Sequence, residues 1–271
     1  MKKIIVASNL FLQNGDIPAD ILRAFTSLYA AANECKYGNV VISVSTLADE
    51  HELIKSKFSG YDKLHFGTLA SQDKLPKIAE IVDSALSIAE DQDLMVSINS
   101  DINVPYYFFD LLIANAGMVG DGSGLIINRK DLLSDDPDIF NGSRFKAVPH
   151  LGFDCMAFPV RAAKQFCLGT VTIGLPPVGA LIVCNMLAVL EKVVLLNDAL
   201  LTWHEGSGEE SAWRDEKRRQ AHQQNVLAAY SALDELFKSP DSSKNFRHIT
   251  HTKGFFEGYL KWRNQRAGQI I

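Results

Sequence analysis

Short apolar segments alternate with segments of helical periodicity along the first hundred residues, and this alternation restricts the possible folds more than any other feature. The apolar segments are KIIVAS at 3–8, VVISVS at 40–45, KLHF at 63–66 and LMVSI at 94–98. In the segments between them, apolar residues recur every three or four positions, at 18–33, 49–58 and 75–90. Strands that alternate with helices form βαβ units, whose strands run parallel. The pattern therefore predicts an α/β fold with a mainly parallel central sheet.

The rest of the chain continues this pattern less regularly. We predict helices at 106–116, 178–190 and 211–237, and strands at 125–128, 155–158, 193–196 and 199–203. Residues 165–190 carry no charge, but Gly174, Pro176 and Pro177 interrupt them. A strand, a Pro-Pro loop and a buried helix are therefore predicted there rather than a membrane span. The segment GLPPVG at 174–179 either lines a pocket or only breaks the apolar run.

Composition indicates a soluble globular protein rather than one that binds nucleic acid. Of the 271 residues, 47% are hydrophobic and 22% are charged, and the net charge is −5. Nucleic-acid binding depends on a basic surface, and the one dense basic cluster, 217–219 (KRR), is predicted to be a solvated helix face. The four cysteines are widely spaced and the N-terminus lacks a signal-peptide cleavage site. We therefore expect reduced thiols and a cytoplasmic location.

Three polar residues, Asn99, Ser100 and Asp101, follow the predicted strand at 94–98 directly. In open α/β sheets, ligands bind at the carboxyl ends of the strands, so the Asp101 carboxylate would project into a ligand crevice. A carboxylate there suits Mg²⁺ or Mn²⁺, which usually bridge protein carboxylates to substrate phosphates. The alternative is that the three residues only cap a turn or a helix.

Two further residues are candidates for the same site. His204 in LLTWHEG follows a short apolar segment, and it is either a metal ligand or an ordinary core or surface histidine. Asp154 in HLGFDCMAF precedes another apolar segment. It either removes a proton from an acceptor hydroxyl as a general base, or makes a structural hydrogen bond to loop amides.

The order of these segments resembles the nucleotide-diphospho-sugar transferases of the GT-A glycosyltransferase fold. The resemblance rests on LMVSINSDINVPYYFFDLL, GLIINRKDL, HLGFDCMAFPV, VTIGLPPVGALIVCNML and LLTWHEG, and it covers about residues 1–215. More narrowly, the chain resembles a largely bacterial branch in which a strand ends in Asn-Ser-Asp-Ile.

This resemblance implies a three-layer GT-A-like domain over 1–210 with a C-terminal helical extension over 211–271. It implies a glycosyltransferase that uses a nucleotide-sugar donor, with an acceptor that the sequence does not identify. Asn99, Ser100 and Asp101 would take the place of the family's Asp-x-Asp motif and contact the donor. Asp101 and His204 would hold Mn²⁺ or Mg²⁺, and Asp154 would be the catalytic base on the acceptor side.

Two other functions remain open at this stage. A sugar nucleotidyltransferase would share the fold, but the segment ASNLFLQNGD at 7–16 has no basic residue where such enzymes usually carry one. A non-catalytic domain that binds glycan or protein partners is the second alternative, because Asn99 replaces an acid. The aromatic and basic tail GFFEGYLKWRNQR at 254–266 is expected to pack on the domain as a terminal helix, or to contact a membrane surface or an acceptor.

Overall fold

The computed structural model describes residues 3–70, 75–119, 122–132, 147–149, 152–197, 201–205, 216–238 and 246–269. The strands in these ranges are β1 (Lys3–Asn9), β2 (Asn39–Thr46), β3 (Leu64–Thr68), β4 (Leu94–Ile98), β5 (Ile102–Asn103), β6 (Ser123–Ile127), β7 (Lys130–Leu132), β8 (Ala147–Pro149), β9 (Cys155–Pro159), β10 (Lys192–Leu196) and β11 (Trp203–Glu205). The helices are α1 (Ala19–Glu34), α2 (His51–Lys57), α3 (Ile78–Leu86), α4 (Phe108–Val119), α5 (Val160–Ala163), α6 (Val178–Val189), α7 (Glu216–Lys238) and α8 (Phe246–Gln269).

Seven of the described strands form a central sheet in the order β10-β6-β9-β4-β1-β2-β3. Six of them run parallel, while β9 lies antiparallel between β4 and β6. The six parallel strands therefore end at one edge of the sheet, the carboxyl edge, and β9 begins there. This arrangement confirms the predicted α/β class with a mainly parallel sheet.

A second, four-stranded sheet adjoins the carboxyl edge, with the order β5-β11-β7-β8. Strands β5 and β7 follow β4 and β6 in the chain after only a few residues. Strand β11 lies between them, so that His204 is opposite Ile102 of β5 on one side and Asp131 of β7 on the other. The small sheet thus brings three distant segments of the chain together beside the ends of the central strands.

Helices cover both faces of the central sheet. The buried residues Ile21, Phe25 and Leu28 of α1 recur at helical spacing, and they pack with Val6 and Val44 on one face. Successive strand residues point to opposite faces, so a neighbouring set of β1 residues joins α3, α5 and α6 in a second hydrophobic cluster.

The C-terminal helices α7 and α8 join this second cluster. Leu233 of α7 and Phe256 of α8 are buried together with Met186 of α6. The aromatic residues of α8 also contact the domain, since the ring centroids of Phe255 and Tyr259 lie 5.7 and 6.0 Å from that of Phe153. Residues 216–238 and 246–269 therefore share a core with the central sheet, in agreement with the packing interpretation of the tail.

The strands at 3–8, 40–45, 94–98, 155–158 and 193–196 and the helices at 18–33 and 178–190 are confirmed to within two residues. The predicted helix at 75–90 is too long. It ends at Leu86, and the chain then turns so that the Glu90 N–H donates to the Asp93 carboxylate. Of the predicted strand 199–203, residues 201 and 202 are not in a strand, and the described strand is Trp203–Glu205. Residues 198–200, 211–215 and 239–245 lie outside the described part of the chain.

The strand predicted before the Pro-Pro loop is wrong. Thr172 forms only an isolated bridge with Lys77. Its backbone N–H and carbonyl are bonded instead to the side chain of Asn225 on α7. Hydrogen bonds to a side chain thus replace the backbone hydrogen bonds that a strand would make with a neighbouring strand.

No helix in the described ranges is long and apolar enough to cross a membrane. The four cysteines are free thiols, as expected. Burial raises the pKa of the Cys155 and Cys184 thiols, so neither thiol is activated as a nucleophile.

Candidate functional site at the carboxyl edge

A cleft of about 650 Å³ opens at the carboxyl edge of the central sheet. Its size falls in the range of sites for small organic ligands. Its lining comes from the ends of β1 and β4, the start of α1, two loops and α7: Asn9, Phe11, Asp20, Ile21, Leu75, Pro76, Asn99, Ser100, Asp101, Ile173, Gly174, Leu175, Arg218 and Ala221. The predicted polar triplet, Asn99 to Asp101, thus lies in this cleft.

The triplet is both a turn and part of the cleft wall. The Ile102 N–H donates to the Asn99 carbonyl at 3.2 Å, which closes a tight turn after β4. A hydrogen bond to Asp154 fixes the Asn99 side chain, whose Nδ2 donates to Asp154 Oδ1 at 2.7 Å. The turn interpretation and the ligand interpretation are therefore compatible.

Asp154 lies at the same edge because β9 runs antiparallel to its neighbours β4 and β6. A residue that precedes an antiparallel strand lies where the parallel strands end, and the Asp154 carbonyl accepts the Asn99 N–H at 3.0 Å. The Asp154 side chain is 12% exposed, and it is absent from the described cleft lining. His150, its neighbour in the motif, lies outside the described residues.

His204 meets Asp101 across the small sheet. His204 Nε2 lies 3.4 Å from Asp101 Oδ2. The sequence led us to expect His204 directly after a short strand, but it lies within β11 of the small sheet, opposite Ile102. The antiparallel β5–β11 pairing brings the two predicted metal ligands together although they are 103 positions apart in the sequence.

The two side chains perturb each other's ionisation. Burial acts to raise the pKa of Asp101, but the hydrogen bond and charge of His204, together with the charge of Arg129, outweigh it and lower the pKa. The hydrogen bond with Asp101 raises the pKa of His204 against the opposing effect of burial. Each side chain therefore stabilises the ionised form of the other.

Arg129 is the residue of this site that the sequence analysis missed. Its Nε lies 2.9 Å from Asp131 Oδ1 and its Nη1 lies 3.1 Å from Asp154 Oδ2. The side chain is only 7% exposed, so it compensates two partly buried carboxylates at once. Its position in the quoted segment GLIINRKDL, directly after an apolar run, was the available signal, but spacing alone does not reveal its partners.

Asp101 and His204 fit a divalent cation as part of a ligand set. Metal–ligand bonds of about 2.1 Å place neighbouring donors about 3.0–3.4 Å apart, which matches the 3.4 Å between their facing atoms. The other ring nitrogen, His204 Nδ1, lies 4.0 Å from Asp131 Oδ1, and metal-binding histidines commonly face a carboxylate in this way. Across the described residues, no group of three or more His, Cys, Asp or Glu side chains is placed to hold a metal. Ligand phosphates and water would have to complete the coordination.

A different wall of the cleft comes from the Pro-Pro loop and α7. Ile173, Gly174 and Leu175 line the cleft, so GLPPVG does contribute to a pocket. Arg218 is exposed, as predicted for the basic cluster at 217–219, but it also lies in the cleft lining, which the sequence did not predict. Arg219 does face solvent, where it pairs with Glu216.

Comparisons with known proteins find similar structures but no similar sequences. Neither a protein-family model nor a curated protein sequence matches the chain. S. aureus TarS superposes with a TM-score of 0.58 at 13% identity, over 96% of this chain and 43% of the TarS chain. TarS 1–349 in complex with UDP gives 0.59 at 13% identity, over 96% and 71% of the two chains. The same fragment in complex with UDP-GlcNAc gives 0.55 at 12% identity, over 96% and 72%.

These likenesses establish that the fold is GT-A-like. The chain spans less than half of the TarS chain. At this level of identity, the resemblance to the narrower branch with Asn-Ser-Asp-Ile stays a prediction.

Proposed function

We propose that the protein is a glycosyltransferase that moves a sugar from a nucleotide-diphosphate-sugar donor to an acceptor. The observation that carries the proposal is the meeting of Asp101 and His204 at 3.4 Å beside a cleft at the carboxyl edge of a GT-A-like sheet. The UDP and UDP-GlcNAc complexes of TarS support a donor of this class. No nucleic acid enters the proposal, and the acceptor is left open.

Asp101 and His204 would hold Mn²⁺ or Mg²⁺ against the donor diphosphate. Such a cation acts as a Lewis acid that stabilises the negative charge on the departing nucleoside diphosphate. Asn99 and Ser100 would contact the donor beside it, since both line the cleft. The protein's own contribution is to fix the donor orientation and to exclude water, which would otherwise hydrolyse the donor.

Asp154 remains the proposed catalytic base. Both of its carboxylate oxygens are engaged, one by Asn99 and one by Arg129. A base must reach the hydroxyl that it deprotonates, so this role requires an acceptor to replace one of these partners. Through Asn99, the same carboxylate also fixes the position of the triplet.

A non-catalytic binding domain is the second candidate. The observation that favours it is the Asn99 amide, which donates to Asp154 where the family motif has a metal-binding acid. Such a domain would bind glycan or a protein partner, and only the transferase would consume the donor. Release of nucleoside diphosphate from UDP-GlcNAc and related donors, followed by mass spectrometry, distinguishes them.

Thermal unfolding with UDP, GDP, CDP or CMP, each with and without Mn²⁺, tests the proposal. A ligand at 100 times its Kd stabilises the native state by about 2.7 kcal/mol, which raises Tm by roughly 5–10 °C for a chain of this size. We expect one diphosphate to give a shift that requires Mn²⁺, and Asp101→Ala to remove the Mn²⁺-dependent part.

The matched control is Asp20→Ala, which removes another acid of the cleft lining and should keep the Mn²⁺ dependence. If no nucleotide shifts Tm in either condition, the proposal fails. If the Mn²⁺ dependence survives in Asp101→Ala, the metal site lies elsewhere.

A further inference from the structure

The C-terminal helix α7 contributes a cation to the cleft. Among the fourteen lining residues, all within the described chain, Arg218 is the positively charged one, while Asp20 and Asp101 are negative. Its Nη2 lies 3.5 Å from the carbonyl oxygen of Gly174, which also lines the cleft. The guanidinium therefore lies at the cleft wall.

The position of α7 is set by a stripe of polar residues at helical spacing. Arg218, His222 and Asn225 are four and three positions apart, so they share one face of the helix. His222 Nδ1 lies 2.9 Å from the Pro176 carbonyl oxygen. Two turns of the helix are thus fixed to the Pro-Pro loop, and the next turn carries Arg218 to the cleft.

Asn225 provides the strongest part of this attachment. The residue is 4% exposed, and its Oδ1 accepts the Thr172 N–H at 2.7 Å. Its Nδ2 lies within hydrogen-bond distance of the carbonyl oxygens of Thr172, Leu175 and Pro176, at 3.0, 3.1 and 3.2 Å. One buried amide therefore holds the loop and the helix in a fixed relation.

We propose that Arg218 is a binding residue for the diphosphate of the donor, so that the C-terminal extension completes the donor site. The inference rests on the proposed function. A diphosphate in the cleft would meet the negative charges of Asp20 and Asp101 in its lining, and the cation on α7 would offset them. Guanidinium groups match phosphate oxygens with two parallel hydrogen bonds.

The test compares Arg218→Ala, Arg218→Lys and Arg219→Ala by titration calorimetry. The calorimetric titrations use UDP, GDP, CDP and ADP in the presence of Mn²⁺. Binding of the matching nucleosides is measured separately by saturation-transfer NMR. Arg219 is the matched control, since it is the next residue on the same helix and pairs with Glu216 instead of lining the cleft. Circular dichroism verifies that all variants are folded, which we expect because Arg218 is an exposed side chain.

For the diphosphate that wild type binds most tightly, Arg218→Ala should raise Kd about tenfold, the effect of losing a hydrogen-bonded ionic contact. Arg218→Lys should raise it less, because it keeps the charge but not the paired donors. Arg219→Ala should stay within twofold of wild type, and nucleoside binding should be unchanged in all variants.

Two results separate the failure of this inference from that of the proposed function. If wild type binds a diphosphate and Arg218→Ala binds it within twofold, or loses the nucleoside equally, the phosphate role of Arg218 is overturned while the donor class stands. If wild type binds none of the diphosphates, the proposed function fails and this inference falls with it.

Discussion

The carboxyl-edge wall of the cleft and its α7 wall are held by different kinds of interaction. At the carboxyl edge, Asp101 and Asn99 are backed by Asp154, Arg129 and His204, whose contacts are mostly charge to charge. At the α7 wall, a neutral amide and a ring nitrogen bind backbone carbonyls. Buried charges depend on one another, so losing one leaves its partners uncompensated. Removing one of the neutral side chains of the α7 wall should lower the free energy of unfolding by a smaller amount.

The first prediction concerns the carboxyl-edge wall, which we call the charged wall, and has the largest expected effect. Arg129→Met leaves Asp131 and Asp154 without their shared cation, and removing one partner of a buried pair costs about 3–5 kcal/mol of unfolding free energy. Urea unfolding at pH 7 measures the change. The control is Arg23→Met, whose pair with Glu205 is exposed and should contribute less than about 1 kcal/mol. Equal losses in the two variants would show that the charged wall is not specially dependent on Arg129.

The second prediction separates catalysis from structure at the same wall. Asp154→Asn should lower kcat by about 10²–10⁴, the usual contribution of a general base, while Mn²⁺-dependent nucleotide binding is retained. Single-turnover transfer kinetics and titration calorimetry measure the two quantities. A loss of nucleotide binding with less than a tenfold change in kcat would assign Asp154 a positioning role through Asn99.

The third prediction concerns the α7 wall. Asn225→Ala leaves the Thr172 N–H and the loop carbonyls without their partner, which should lower the free energy of unfolding by about 1–3 kcal/mol and weaken nucleotide binding. Gln224→Ala, at the neighbouring exposed position, should change stability by less than about 0.5 kcal/mol. If Asn225→Ala keeps wild-type nucleotide affinity, α7 is not fixed to the cleft by this amide.

The fourth and smallest effect is the pH dependence of the charged wall. The pKa of His204 is raised by Asp101, so the pair's contribution to stability is full below about pH 6.5 and is lost as pH rises through the raised value. The lowered pKa of Asp101 removes the same contribution as pH falls below about 4. A partly solvated pair contributes less than about 1 kcal/mol.

Urea unfolding of metal-free protein at pH 5.5 and pH 8.5 checks this sign. From pH 5.5 to pH 8.5, the free energy of unfolding should fall more for wild type than for His204→Gln. The difference in unfolding free energy between wild type and Asn225→Ala should be the same at both pH values. A pH response in His204→Gln as large as that of wild type would place the titrating group elsewhere.

The main sheet could be predicted from the sequence because burial on both faces leaves continuous apolar runs. The run that ends at Ile98 places Asp101 at the carboxyl edge with no further information. The partners of Asp101 depend on strand direction and pairing, which spacing does not encode. The reversal of β9 brings Asp154 to the edge, and β11 brings His204 through the small sheet.

Arg129 and Arg218 show the two limits of the sequence reasoning. Arg129 was missed because a single arginine after a strand has no pattern of its own, and only its two carboxylate partners give it a role. Arg218 is exposed, as its mixed-charge segment predicted, but its place in the cleft lining depends on what the helix packs against, which the sequence does not show. Its neighbour Arg219 fits the original prediction.

Mn²⁺ binding measured by electron paramagnetic resonance tests the central claim most directly, because only free Mn²⁺ gives the sharp signal in solution. Asp101 and His204 would supply only part of a ligand set, so the account predicts weak Mn²⁺ binding by the protein alone. Addition of the nucleoside diphosphate should produce tight binding in wild type, and Asp101→Ala and His204→Ala should both abolish this gain. Equal Mn²⁺ binding by wild type and both variants in the presence of the nucleotide would contradict it.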